Sequence, residues 1–227
     1  MNFTNRERIV HVLMLKSFFM PDISLFKGQM GIALAISNLC KNTSSKILYD
    51  FLYDLVEILT EKVNKGLPFS LGNGLAGIGW GIEYLIQNGF VEGEGIEVCE
   101  EIDNKIMEAD IRRITDLSLE TGFEGLLHYI IFHLQGSIKQ NNNIPFDDTY
   151  LYDIYTKCKK LEDNNVDDSL KKLLNSYISF AENKMLLEYE STLSNFISVI
   201  PELDYEELAS YPLGLNNGLA GVLVTNL

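Results

Sequence analysis

The sequence predicts an all-α protein: an α/α toroid of about five helical hairpins, with a Gly-x-x-Gly pair at the start of the inner helices. Three observations carry this. The pair occurs four times, as Gly28–Gly31, Gly74–Gly77, Gly122–Gly125 and Gly218–Gly221, with first glycines 46, 48 and 96 residues apart, the last being two steps of 48. Apolar periodicity alternates along the chain between polar helices with one apolar stripe and helices apolar over most of their girth. No alternating strand pattern competes with it. A step of about 47 residues holds two helices and their loops at a rise of 1.5 Å per residue.

The elements follow in order as hairpins over 3–40, 44–88, 95–136, 147–189 and 191–227, forming one domain over 1–227. Arg6 and Arg8 precede Ile9–Leu15, and Lys16 interrupts that run without a small-x-small cleavage site, so a short amphipathic helix is expected rather than a signal peptide. The segment 44–64 places Ile47, Leu48, Phe51, Leu52, Leu55, Ile58 and Leu59 at three- and four-residue steps, with acidic residues between. Asn42, Thr43 and Ser44 offer caps, and Gly66 and Pro68 stop the helix. After Gly74 the pattern changes. Ile78, Ile82, Leu85 and Ile86 surround the glycine face, and Asn88–Gly89 supplies a left-handed stop. The contrast repeats with polar 95–113 before apolar 122–136, and polar 147–164 before 169–189, where a fifth glycine pair is due and absent. The last inner helix has nine residues after Gly218 and is expected to be short.

Composition narrows the function classes. A net charge of -14 lacks the Lys/Arg clusters that release counterions from nucleic acid, whereas a basic peptide or cationic protein surface would be attracted. No apolar run reaches membrane-spanning length, and Cys40, Cys99 and Cys158 follow no CxxC spacing. Reduced thiols with packing roles and a cytoplasmic location are expected. Two glycines three apart at a helix start allow another backbone to approach closely, and the first can take positive φ in a tight turn. A phosphate cradle is excluded, because no strand precedes these glycines and no Walker lysine follows.

The segments Leu71-Gly72-Asn73-Gly74-Leu75-Ala76-Gly77-Ile78 and Leu215-Asn216-Asn217-Gly218-Leu219-Ala220-Gly221-Val222, with the other pairs and their spacing, resemble the lanthionine synthetase C-like proteins. The resemblance covers nearly the whole chain. It implies an α/α toroid, commonly of seven hairpins, and in the cyclases a zinc held by two cysteines and a histidine. There, cysteine thiolates add to dehydrated Ser/Thr residues of a precursor peptide to give thioether rings. The cyclase Cys-His-Gly-x-x-Gly segment corresponds here to Asn216-Asn217-Gly218-Leu219-Ala220-Gly221, with amides at both ligand positions. The cyclase Trp-Cys pair corresponds to Trp80-Gly81, and a further His-Gly to Asn73-Gly74. Amides bind zinc poorly, so no metal, no cofactor and no cyclase chemistry are expected.

Counting from each first glycine, Trp80 and His128 share one offset, Tyr84 and Phe132 a second, and Gln87 and Gln135 a third, all on one helical face. With Glu83 and Glu124 nearby, and Asn73 and Asn217 at the helix starts, these residues outline a candidate binding cavity for a peptide or sugar. A packed aromatic plug is the competing reading of Trp80, Tyr84, Phe132 and His128. His128 and His133, five apart, point away from each other, so a two-histidine zinc face is not expected. The first functional expectation is a peptide- or partner-binding protein of peptide natural-product maturation. The alternative is a carbohydrate-active hydrolase with Glu83 and Glu124 as acid and base, which needs the two carboxylates about 5–9.5 Å apart. With fewer hairpins than relatives, Leu25, Phe26 and Ile32 at one end and Leu213, Leu215, Leu219, Val222 and Leu223 at the other are expected to leave an open flank. The N-terminal helix, with Phe18, Phe19 and Met20, is expected to fold across and cover it, which favours a monomer over a homodimer.

Overall fold

Helix-forming runs separated by Gly, Pro and Asn clusters fold into nine α-helices and no strand among the described residues of the computed structural model, which are 3–63, 66–141, 143–162, 164–183 and 189–226. In order they are α1 (Phe3–Lys16), α2 (Gln29–Cys40), α3 (Lys46–Lys62), α4 (Leu75–Gln87), α5 (Gly95–Met107), α6 (Phe123–Asn141), α7 (Asp148–Glu162), α8 (Asp168–Asn183) and α9 (Leu219–Thr225). Among the described residues no helix is long and apolar enough to cross a membrane. Each of the first four expected hairpin spans holds two helices, and α5 with α6 and α7 with α8 pack as pairs, whereas α1 packs on α9 and α3 on α2; the fifth span holds one helix. Residues 191–218 carry only the 3₁₀ turns Leu193–Phe196 and Leu208–Ser210 ahead of α9. Pro201 and Pro212 cannot donate to a helical ladder, and the Ser, Thr and Asn side chains of 191–198 compete for backbone groups.

The chain forms two compact units, one of Met1–Leu67 with Thr192–Leu227 and one of Pro68–Ser191. Both are built on the same loop. Six residues before each first glycine stands Asp22, Pro68, Asp116 or Pro212, and three before it stands Leu25, Leu71, Leu119 or Leu215. The carbonyl of the residue six back accepts the N–H just after the glycine: Gln29 to Asp22 at 2.9 Å, Leu75 to Pro68 at 2.8 Å, Phe123 to Asp116 at 2.9 Å and Leu219 to Pro212 at 2.9 Å. In the two aspartate loops the carboxylate also accepts from the backbone two residues on, Ser24 N–H at 2.8 Å and Ser118 N–H at 2.9 Å. This satisfies an N-terminal helix donor without a capping side chain.

The glycines serve space rather than backbone freedom. Gly28, Gly74 and Gly218 have φ of -106°, -139° and -148°, extended backbone open to any residue, which corrects the expected positive φ. A Cβ on Gly122 would strike the Asp116 carbonyl at 2.6 Å, and one on Gly125 would overlap the Leu119 carbonyl and meet Leu71 Cβ at 2.7 Å. The second glycine therefore lets the loop lie on the first helical turn. Positive φ does matter at Gly89 (φ 71°), where Phe90 N–H reaches Leu85 O at 2.9 Å and closes α4.

Each unit joins two such loops side by side through one hydrogen bond between residues two before the glycine. Asn216 N–H donates to Phe26 O at 2.9 Å in the first unit, and Gly72 N–H donates to Glu120 O at 2.8 Å in the second. In both cases a proline loop donates to an aspartate loop. The helices that follow start at the same end and pack together, α2 with α9 and α4 with α6. In the first unit α1, whose buried stripe is Ile9, Val10 and Leu13, packs on α9. The flank expected to stay open is covered: Leu25, Phe26, Ile32, Leu213, Leu215, Leu219, Val222 and Leu223 are all buried. α1, the N-terminal helix, packs on α9 as expected, although Phe19 beyond its end is 86% exposed and takes no part in the cover. In the second unit α4 is buried from Leu75 to Ile86; α5 and α6 pack on it and on each other, α8 packs on α6, and α7 packs on α8.

If space is what the second glycine supplies, Gly125→Ala will lower the urea midpoint more than Gly89→Ala. Overpacking against a backbone carbonyl costs on the order of 2 kcal/mol or more, and a strained φ in open space costs about 1 kcal/mol. The reverse order in equilibrium unfolding would refute the spatial account.

Candidate functional site

The parallel run of α4 and α6 decides which side chains meet. Gly79 lies under the Tyr129 ring, where a Cβ would come within 2.7 Å of Cζ, and this brings the two helices close. Trp80 then stacks on Tyr84 with centroids 5.5 Å apart and meets Phe132 at 5.2 Å. His128 lies on the same face. These expected cavity residues do come together, but the space between them is filled by Tyr189. Its ring sits 5.1 Å from Phe132 and 5.6 Å from His128. Its hydroxyl accepts from Trp80 Nε1 at 2.9 Å and lies 2.7 Å from His128 Nδ1.

Burial pushes the His128 pKa down to about 4, so the imidazole is neutral at neutral pH. Trp80 can only donate, so the phenol oxygen accepts from it and its O–H is available to donate to Nδ1 of the neutral ring. Burial also raises the Tyr189 pKa, with the Trp80 hydrogen bond pulling the other way. Gln135 Nε2 reaches the Tyr189 carbonyl at 3.5 Å. Sequence reasoning missed Tyr189, because the expected hairpin over 147–189 has no glycine pair from which to count its inner face.

Glu83 faces the other way. It is fully buried, with Oε2 2.9 Å from His133 Nδ1 and Oε1 accepting from Gln87 Nε2 at 2.8 Å. A Cβ on Gly95 or Gly136 would overlap its oxygens, so two glycines from α5 and α6 make room for this carboxylate. His133 Nε2 lies 2.9 Å from Asp103 Oδ2, and Asp103 Oδ1 accepts from Tyr129 O–H at 2.6 Å. The imidazole thus bridges carboxylates of α4 and α5. Burial opposes its charge, but hydrogen bonds to Asp103 and Glu83, and their negative charge, outweigh that and hold its pKa up at about 9. Burial raises Asp103 above the ordinary aspartate range despite His133. Cys99 beside them is pushed well up by burial and by Asp103 and Glu83, leaving an inert thiol. Burial of Asp103 favours its neutral form, but one ring hydrogen-bonded to two acids is best satisfied as the imidazolium, so His133 holds the buried proton.

Glu124 is not part of this. It sits in the first turn of α6, nine residues and about 13 Å of helix from His133, where burial raises its pKa against a Ser169 hydrogen bond. The structure therefore does not bring Glu83 and Glu124 together.

Asn73 and Asn217 lie at helix starts in different units. Asn73 Nδ2 donates to Glu120 Oε1 at 3.1 Å, strengthening the joined loops. Asn217 takes φ 56°, the left-handed region that asparagine tolerates, and its N–H donates to Val199 O at 2.9 Å. Asn216 Oδ1 accepts from Ser198 N–H at 3.2 Å, Ser198 Oγ–H at 3.0 Å and Val199 N–H at 3.1 Å. Zinc does not fit this position, since the amide oxygen is already used and no thiolate or imidazole stands beside it. Among the described residues no three of His, Cys, Asp and Glu are grouped so as to hold a metal ion. Cys40, Cys99 and Cys158 are free and buried, and burial pushes Cys40 to about 11 and Cys158 to about 12.

Comparison with protein-family models, curated proteins and solved structures yields no match.

The two histidines of α6 set opposite pH limits on stability. His133, raised from 6.5 to about 9, contributes fully below pH 6.5 and loses its contribution as pH rises through 9. His128, lowered to about 4, contributes fully above pH 6.5 and loses its contribution as pH falls toward 4. Each is worth on the order of 3 kcal/mol. Urea midpoints should peak near pH 6.5, with His133→Gln flattening the alkaline limb and His128→Gln the acid limb. A limb that persists unchanged in its own variant refutes that assignment.

Proposed function

We propose that this protein is an α/α toroid of lanthionine synthetase C-like type without zinc or cyclase chemistry. In this reading it binds a peptide or partner protein during maturation of lanthipeptide-like natural products. Asn216 is the observation that carries the reading. It occupies a position where the cyclases hold a zinc ligand, and its amide ties residues 198–199 to the loop that starts α9. The site has been turned from coordination to structure, while the glycine loops around it are kept.

Ring architecture is supported by the recurrence of one junction in both units, since neighbouring inner helices of a toroid must start side by side. A monomer is supported by α1 packing on α9. A cytoplasmic location is supported by three free, buried thiols. The hydrolase alternative lacks a supporting observation, because Glu83 is committed to His133 and Gln87.

Two measurements test the reading together. Elemental analysis of the purified protein is expected to find far less than one zinc per chain. Titration with a dehydrated, cysteine-bearing precursor peptide is expected to give saturable binding by fluorescence anisotropy without loss of free thiol. Stoichiometric zinc, or thiol consumption as thioether forms, would sink it.

A further inference from the structure

α7 presents one face, at the three- and four-residue steps Thr149, Asp153, Thr156 and Lys160, to the segment that leads from α5 into the Asp116 loop. Two adjoining cavities lie between them, of 260 and 370 Å³, sharing Arg112. Together they follow α7 from Thr149 to Leu161, about 18 Å along the axis. That span matches about five residues of extended chain.

The groove has opposite charge at its two ends. Glu108, Asp110, Asp147 and Asp153 line the first cavity against the single guanidinium of Arg112. Asp110 and Asp153 share that guanidinium, Asp110 also meets the exposed Arg113 at 3.2 Å, and Glu108 takes Lys105. Asp147 Oδ1 caps α7 by accepting from Tyr150 N–H at 2.7 Å, which leaves Asp147 without a cation among the described residues. Lys157 and Lys160 line the second, beside Ile114, Leu117 and Leu161. Lys157 is half-buried and donates to Ile114 O at 2.5 Å, 5.1 Å from the Phe123 centroid. No carboxylate among the described residues forms an ion pair with Lys157 or Lys160. Burial and the neighbouring Lys160 lower the Lys157 pKa, the mark of a cation without a counter-charge.

One wall is open backbone. Residues 114–118 have no helix or strand pairing, and the main-chain groups of Thr115 and Leu117 take no backbone partner among the described residues. Free main-chain groups along an apolar floor are what an extended peptide uses to add itself to an edge.

We infer that this groove binds an extended peptide segment of about five residues, with an acidic residue at the Lys157–Lys160 end, a cationic residue at the Asp147–Asp153 end and an apolar side chain between. The inference rests on the peptide-binding reading and gives it a site and a charge pattern. A bipolar segment also avoids the net charge of -14, which would repel a uniformly acidic one.

The test uses four dye-labelled peptides with one apolar centre and ends Lys/Glu, Gln/Gln, Lys/Lys or Glu/Glu, read by anisotropy at low salt. The Lys/Glu peptide is expected to bind on the order of ten-fold tighter than the others. Lys160→Glu, at an exposed position that leaves the fold intact, should move the preference to the Lys/Lys peptide. Lys171→Glu, an equal change of net charge on α8, should leave the order unchanged. Equal effects of the two variants, or no preference for Lys/Glu, would overturn the groove. If a peptide binds and Lys160→Glu is without effect, peptide binding stands and the groove falls; if none binds at millimolar concentration, both fall.

Discussion

The fold depends on how closely a loop can lie on the first turn of the helix it starts. A carbonyl six residues before the glycine takes the helix donor that would otherwise be orphaned, and this holds only while the chain folds back within van der Waals contact. Gly122 and Gly125 show the consequence, since Asp116 and Leu119 carbonyls occupy the space a Cβ would need. The leucine three back is then pressed inward: Leu25, Leu71 and Leu215 are buried. From that geometry come the parallel helix starts, because two such loops join through main-chain groups at the same position in each unit.

The second unit adds a polar lock to this apolar frame. Hydrophobic packing fixes how far apart α4, α5 and α6 lie but discriminates little between small sliding displacements. The Glu83–His133–Asp103 bridge does discriminate, since its 2.9 Å contacts come from one residue on each helix. Removing any one member leaves a buried charge without its partner, which costs far more than the pair contributes over a hydrophobic replacement. Gly95 and Gly136 belong to the same device, as they open the room in which the Glu83 carboxylate sits.

The helices were largely legible in the sequence, and the polar contacts were not. Period and girth identify α3 as one-striped and α4 as buried, because each signal is local and repeats within a few turns. The shared face of Trp80, Tyr84, His128 and Phe132 was legible for the same reason. What filled it was not, because Tyr189 belongs to the hairpin without a glycine pair and reaches His128 across 61 residues. Asp103, Glu83 and His133 stand 20, 50 and 30 residues from one another on three helices, so no spacing rule joins them. The loop was half legible. Gly-x-x-Gly marks it, but the Asp/Pro and Leu positions acquire meaning only when their carbonyls are placed.

His128 and His133 show why residue type alone carries so little about chemistry. Both lie on α6, five apart, and both are buried nine-tenths or more. Desolvation pushes both toward the neutral form. The outcome differs because of what each ring meets on its own side of the helix. A phenol can accept Trp80 and still give its proton to His128, so a neutral imidazole suits that site. Two carboxylates have no proton to give, so His133 must supply both donors and carries the charge. The same logic applies at Asn216. Three donors converge there, and a position with three donors to satisfy calls for an acceptor oxygen, whatever residue the surrounding glycine motif would suggest.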